Sequence, residues 1–157
     1  MKKVLILLAL IFGMFNNSFS YEKWLGKWRP SAMPVPYYIN LTDFPSGSET
    51  AIITSFNTWQ QASNSFFMAT YAGTTTRHAN RWFPDGYNVI SMGTVFNSTS
   101  IAETWAISLD GNDHFVEVDI VFDNTRSFSA TPSCPSNYFD VENVATHEIG
   151  HFFRFRT

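Results

Sequence analysis

The segment that most constrains the fold of this chain is His147–His151, which reads H-E-x-x-H. On an α-helix, residues four apart lie about 40° apart around the axis and ~6 Å apart along it. The imidazoles of His147 and His151 then reach one zinc ion at ~2.0–2.1 Å, while Glu148 faces the water beside the metal without being a ligand. The segment therefore predicts a helix that presents two metal ligands and a general base to one cleft. The alternative is a helix that carries two histidines and no metal.

The N-terminus has the pattern of an export signal. Met1–Lys3 is basic, Val4–Phe15 is an apolar run, and Ser18 and Ser20 are small residues placed as a signal peptidase requires. We therefore expect residues 1–20 to be a signal peptide and the mature chain to begin near Tyr21. The mature protein is then secreted or extracytoplasmic, in the periplasm or outside the cell, with no stable membrane association. The rival interpretation is an uncleaved membrane anchor.

Length and charge limit the classes of function. The chain has 157 residues, so residues 21–157 have room for one domain. The net charge is −3, and two of the ten basic residues lie in the leader, so we expect no nucleic-acid partner. The single cysteine excludes an internal disulfide. We expect a monomer.

Hydrophobic spacing predicts an α+β fold with one sheet and two long helices. Ser48 is expected to cap the first helix and Asp140 the second. Pro36 indicates that its strand lies at a sheet edge or that the proline lies at a strand start. The predicted strands are Val35–Asn40, Phe66–Tyr71, Tyr87–Met92, Ile101–Ile107 and Val116–Phe122, and the helices are 49–63 and 141–153.

Several segments together resemble one family. Phe139–His151 closely resembles the active-site helix of metzincin zinc endopeptidases, above all the matrixin branch and its bacterial relatives. Met33–Asn40 looks like the first strand of that family, Ala51–Ser63 like its first helix, and Glu117–Asp123 like its last strand before the active-site helix. The resemblance implies a single zincin-like domain with a twisted five-stranded mixed sheet and two long helices.

The resemblance also implies a function and a way to bind substrate. The chain would be a secreted zinc-dependent metalloendopeptidase, with His147 and His151 on Zn²⁺ and Glu148 as the general base. In this family four strands are parallel and one antiparallel edge strand lies above the cleft, a role that falls to Ile101–Ile107. A peptide or protein substrate would pair with this edge by strand addition. The substrate-binding residues would be Ile101, Ala102, Glu103 and Thr104.

The sequence departs from the family after the second histidine. The metzincin motif continues with a glycine and a third zinc-binding histidine, but these positions hold Arg154 and Thr157. We therefore expect a chain truncated just after H-E-x-x-H, with the C-terminal subdomain missing and Phe152, Phe153 and Phe155 exposed. One nucleotide inserted in the codons of Phe152 and Phe153 would account for both departures. The alternative function is a non-catalytic remnant that binds peptide or zinc weakly without turnover.

Two smaller groups of residues offer further metal ligands. Asp110, Asn112 and Asp113 provide oxygen atoms suited to Ca²⁺, and the alternative is a plain turn. His78 and His114 suit a second metal site, and the alternative is that both are ordinary surface residues.

Overall fold

The structure is a computed structural model that describes residues 22–23, 26–62, 66–108, 114–153 and 155–156. The elements of this part of the chain are β1 (Glu22–Lys23), a 3-10 turn (Pro30–Ala32), β2 (Val35–Ile39), α1 (Ser48–Gln60), β3 (Ala69–Thr74), β4 (Val89–Gly93), β5 (Ala102–Ile107), β6 (Glu117–Asp123), β7 (Phe128–Ser129), β8 (Phe139–Asp140), α2 (Val141–Phe152) and β9 (Phe155–Arg156).

Two sequence predictions fall outside the described residues. They are the signal peptide at 1–20 and the turn at 110–113 that carries the proposed calcium ligands. Within the described ranges, neither helix combines the length and the apolar character that crossing a bilayer requires.

The main sheet has five strands in the order β3-β2-β4-β6-β5. The first four run parallel, and β5 runs antiparallel to β6, from Ala102 opposite Phe122 to Ile107 opposite Glu117. Two short ribbons accompany the sheet, β1 with β9 and β7 with β8. The prediction of an α+β chain with a five-stranded mixed sheet and two helices is confirmed. The antiparallel edge position of the fourth strand is confirmed as well.

Pro36 lies in an interior strand, so the edge position is wrong and the strand-start alternative holds. The N–H of Val35 donates to the carbonyl of Met68 on the β3 side (2.9 Å). Alternation then points the Pro36 nitrogen toward β4, whose pairing begins only at Tyr38 with an N–H bond to the Asn88 carbonyl (2.9 Å). Pro36 therefore lacks an N–H at a position where β2 is not yet paired with β4, and the sheet loses no hydrogen bond. The Asn88 side-chain amide donates to the Pro36 carbonyl (2.8 Å) and joins the strands there.

The first helix begins one residue earlier than predicted. Ser48 is its first residue, and the N-cap is Gly47 with a φ of 93°. Only glycine adopts that conformation without strain. The Ser48 hydroxyl donates to the Pro45 carbonyl (2.7 Å), so it closes the preceding turn, and the expected Ser48 cap is wrong.

The second strand begins at Ala69, three residues later than predicted. Ala69 lies opposite Val35, the first residue of β2. The residue before Val35 is Pro34, which has no N–H to donate. The pairing of β3 with β2 therefore begins at Ala69, and residues 66–68 lie before it.

The aromatic end of α2 lies in the core. Phe152 and Phe153 are only 0% and 3% exposed. The Phe152 ring packs on Trp28 and Phe56, and the Phe153 ring lies 4.7 Å from that of Phe67. The expectation of exposed side chains is wrong for Phe152 and Phe153, because the helix turns both toward α1 and the N-terminal segment. The Phe155 side chain lies outside the described part.

Candidate metal centre

Helix α2 carries the H-E-x-x-H segment and begins at a capped N-terminus. The Asp140 carboxylate accepts a hydrogen bond from the N–H of Asn143 (2.8 Å), which confirms the predicted cap. A carboxylate at this position also stabilises the positive end of the helix dipole. The start of the helix, and with it the angular position of each later residue, is therefore fixed by a local signal.

Three hydrogen bonds to backbone carbonyls fix the rotation of α2 about its axis. They are Ser55 Oγ to Glu142 O (3.0 Å), Trp59 Nε1 to Thr146 O (2.6 Å) and Trp28 Nε1 to Phe152 O (3.0 Å). Gly150 allows the indole of Trp59 to approach closely, because a Cβ at this position would lie 2.8 Å from Trp59 Cζ2. The buried face of α2 thus packs on α1, and the opposite face is left to the cleft.

His147, Glu148 and His151 line one open cleft of about 530 Å³ between α2 and β5. The two imidazole rings lie 5.0 Å apart, centre to centre, at an angle of 85°. His147 is exposed and His151 half-buried, so both rings are accessible from the cleft. The structure therefore brings together the three residues that the motif predicts.

Glu148 is buried and oriented by a hydroxyl group. Its side chain is 6% exposed, and Thr104 Oγ1 lies 2.7 Å from Oε2 and 3.0 Å from the Glu148 carbonyl oxygen. Burial raises the pKa of Glu148, and the Thr104 hydrogen bond and the two histidines oppose that shift. Among the described residues, no hydrogen bond reaches Oε1. One carboxylate oxygen is thus held, and the other remains available for a proton.

The edge strand β5 presents backbone groups along the cleft. The carbonyls of Ile101 and Ile107 accept from β6-side N–H groups, those of Asp123 and Val116 (2.9 Å each). Because an antiparallel ladder alternates, the N–H and C=O groups of every second residue between them point away from β6. These residues are Ala102, Thr104 and Ala106. Of the four predicted substrate-binding residues, Ala102 and Thr104 therefore face the free edge with their backbone, while Ile101 and Glu103 face β6.

The Glu103 carboxylate organises the wall of the cleft. It accepts hydrogen bonds from the N–H groups of Phe96 (2.8 Å) and Asn97 (2.6 Å) and from the Trp105 indole (2.8 Å). Burial pulls the pKa of Glu103 upward, but these donors outweigh it and hold the pKa below its usual value. These hydrogen bonds therefore stabilise the charged carboxylate of Glu103. The side chain of Glu103 positions two aromatic residues.

Arg81, Phe96 and Trp105 line the cleft without having been predicted. Arg81 and Phe96 come from the loops before and after β4, and their proximity to α2 depends on strand order. The sequence signal that could have pointed to them is the concentration of aromatic residues around Arg81, namely Trp82 and Phe83.

The other histidines lie in different surroundings. His78 Nε2 is 3.4 Å from the Asn40 amide nitrogen, and His114 pairs with Lys27 in an isolated β-bridge. Within the described ranges, no group of three or more His, Cys, Asp or Glu side chains is placed to bind a metal. The motif in this part of the chain thus supplies two imidazoles and a neighbouring carboxylate.

Comparison with known proteins assigns no family. No family model matches the chain, and none of the curated proteins compared with it matches either. The function is therefore inferred from the residues of the cleft and from the sequence resemblance of the motif helix.

Proposed function

We propose that this chain is a secreted, zincin-like, zinc-dependent metalloendopeptidase. His147 and His151 bind zinc, Glu148 is the general base, and an extended peptide lies along the free edge of β5. The observation that carries the proposal is the cleft itself. Two accessible imidazoles 5.0 Å apart share the cleft with a buried, hydroxyl-oriented carboxylate and with the edge strand β5, whose every second backbone group points away from β6.

The donor set suits zinc. Two nitrogen ligands at ~2.0–2.1 Å from one tetrahedral ion place their ring centres on the order of 5 Å apart, which agrees with the observed separation. Imidazole is a ligand that zinc prefers, and both rings are accessible from the cleft. When bound, zinc supplies a Lewis acid that activates water and polarises a carbonyl group.

The residues of the chain itself perform the binding and the proton transfer. The backbone groups of Ala102, Thr104 and Ala106 hold the peptide extended, so that its scissile bond lies against α2. Glu148 Oε1 takes a proton from the attacking water and returns it to the amine that leaves. The Thr104 hydroxyl keeps the carboxylate at a fixed angle during both transfers.

A second candidate is a protein that binds zinc or peptide weakly without turnover. It is favoured by positions 154 and 157, which hold arginine and threonine where the metzincin motif has glycine and a third histidine. A catalytic zinc site usually has three protein ligands and an open position, and two imidazoles hold the ion less firmly. The two candidates share one cleft and differ in activity.

The test measures zinc content after dialysis and cleavage of a generic unfolded protein substrate. We expect zinc in the parent chain and its loss in His147→Ala and His151→Ala, with His78→Ala as the matched control that keeps both properties. Cleavage supports the endopeptidase, and zinc binding without cleavage supports the second candidate. An Arg154→Gly, Thr157→His variant should retain zinc more tightly. Equal zinc content in His147→Ala and the parent would refute the site.

A further inference from the structure

Arg81 lies in the cleft with its guanidinium group stacked on aromatic rings. Its Cζ lies 3.7 Å from the ring centre of Phe96, 4.5 Å from that of Trp82 and 5.9 Å from that of Trp105. Across the part of the chain that the structure describes, its guanidinium group makes neither an ion pair nor a hydrogen bond. It is also the only arginine or lysine among the described residues that line this cleft. The donors of this cation are thus available to a ligand.

The position of Arg81 is fixed from both sides. The N–H of Asn80 donates to Asp119 Oδ2 (2.6 Å), and the N–H of Trp82 donates to the Asn80 side chain (3.0 Å). Asp119 belongs to β6, so the backbone before Arg81 is tied directly to the sheet, and the backbone after it is tied locally through the Asn80 side chain. The neighbouring aromatic residues are held as well, because the Glu103 carboxylate accepts from the backbone N–H of Phe96 and from the indole of Trp105. The ring contacts restrict the Arg81 side chain before a ligand arrives, which lowers the entropy cost of binding.

We propose that Arg81 binds a carboxylate of the peptide substrate and so makes the cleft selective for peptides that present one there. This inference rests on the proposed function, since it concerns the occupant of the same cleft. An arginine fork pairs with a carboxylate through two parallel hydrogen bonds, and stacking on aromatic rings leaves its edge free for them. The acidic net charge of the chain disfavours such peptides, and a positioned arginine in the cleft offsets that repulsion locally. The carboxylate comes either from an Asp or Glu side chain or from the C-terminus of a peptide.

The test measures peptide binding in the full chain carrying Glu148→Gln, loaded with zinc, which holds substrate without turnover. Three fluorescent peptides of one sequence are compared by anisotropy: one with Glu and an amidated C-terminus, one with Gln and an amidated C-terminus, and one with Gln and a free C-terminus. We expect one of the two carboxylate peptides to bind on the order of tenfold tighter than the neutral peptide. The peptide that gains affinity identifies the source of the carboxylate.

A matched pair of arginine variants isolates the residue. Arg81→Gln should abolish the preference, whereas Arg77→Gln should leave it unchanged. Arg77 lies in the same loop, is stacked 4.0 Å from the Tyr87 ring centre and is paired with Asp85 (2.8 Å), but it does not line the cleft. If Arg81→Gln fails to fold, Arg81→Lys replaces it, because lysine keeps the positive charge and loses the two-pronged guanidinium. Binding of the three peptides to the parent and to Arg81→Lys then shows whether the preference depends on Arg81.

The outcomes separate this inference from the proposed function. Equal binding of the three peptides, or an unchanged preference in Arg81→Gln, would overturn the role of Arg81 even if the wild-type chain cleaves peptides. An Arg81-dependent preference upholds it even if the wild-type chain cleaves none, in which case the endopeptidase proposal alone fails.

Discussion

Glu148 and Glu117 are both buried glutamates, 6% and 1% exposed, and burial raises the pKa of each. Their partners differ. Glu117 Oε2 accepts hydrogen bonds from the backbone N–H groups of Asp85 (2.7 Å) and Gly86 (2.6 Å) and thereby holds the loop before β4 against β6. Glu148 is held by one hydroxyl group and lies in an open cleft that both imidazoles also line. Burial and a raised pKa are therefore common to both glutamates. The groups that contact each carboxylate distinguish them.

Asp119 belongs with Glu117. Its two oxygens accept from the N–H groups of Asn80 (2.6 Å) and Val89 (2.7 Å), again joining the loop to the sheet. A carboxylate that satisfies backbone donors replaces hydrogen bonds that a loop cannot make with itself. We therefore assign Glu117 and Asp119 to the scaffold that holds the loop before β4, and Glu148 remains the proposed general base.

The largest expected effect comes from Glu148→Gln, with Glu117→Gln as its matched control. Glu148→Gln should reduce peptide cleavage on the order of 10²–10⁴-fold, because the general base is lost while the shape of the side chain is kept. Glu117→Gln retains an oxygen for the two backbone donors and should leave cleavage within about twofold. Initial rates on one peptide under saturating zinc measure both. A comparable loss in Glu117→Gln would contradict the division between the two glutamates.

The scaffold carboxylates should make stability depend on pH. Burial raises the pKa of Asp119 to about 7, from a usual value of 3.8. Between those values, unfolding releases a proton, so the free energy of unfolding falls as pH rises from about 4 to 7. The full loss is on the order of 4 kcal/mol, and the raised pKa of Glu117 acts in the same direction. Urea unfolding at intervals from pH 4 to pH 8 measures it, and stability that rises between pH 4 and pH 7 would contradict the assignment.

Thr104→Val tests whether the hydroxyl orients the catalytic carboxylate. Cleavage should fall on the order of tenfold, since a hydrogen bond to a charged group is lost and Oε2 of Glu148 is left unsatisfied. Thr58→Val is the control, because that hydroxyl bonds only to the Thr54 carbonyl within α1 (3.1 Å) and is exposed. An unchanged rate in Thr104→Val would mean that Glu148 is oriented by other contacts.

The smallest effect is expected at the cap of the helix that carries Glu148. Asp140→Ala should lower the free energy of unfolding by about 1 kcal/mol, because the hydrogen bond to the Asn143 N–H is lost. Asp140→Asn keeps a capping oxygen and should retain most of that stability. Thermal or urea unfolding of the two variants measures the difference. Equal loss in both would show that the charge, and not the cap, is what stabilises the helix.

Local signals made part of this molecule predictable. The spacing of His147 and His151 and the cap at Asp140 depend only on helical geometry, and the structure agrees with both. The antiparallel edge at Ile101–Ile107 came from the family resemblance, since no local signal separates an edge strand from its neighbours. The prediction that Ser48 caps α1 is wrong because the Ser48 hydroxyl closes the preceding turn.

The wall of the cleft could not be predicted in the same way. Arg81 approaches Phe96 and Trp105 only because β4 and β6 are neighbours and because Asp119 and Glu103 hold the intervening loops. The burial of Phe152 is unpredictable from sequence for a related reason, because the aromatic partners that cover it, Trp28 and Phe56, lie far away along the chain.

The central claim is that zinc binds to the imidazoles of His147 and His151. The most direct measurement is a zinc titration of the full chain, followed by long-range ¹H–¹⁵N spectra of its four histidines. Signals are assigned by His→Ala variants. We predict that the ring nitrogens of His147 and His151 shift together until one equivalent is bound, while those of His78 and His114 do not change. Unchanged spectra of His147 and His151 at saturating zinc, or a shift confined to His78 and His114, would contradict the account.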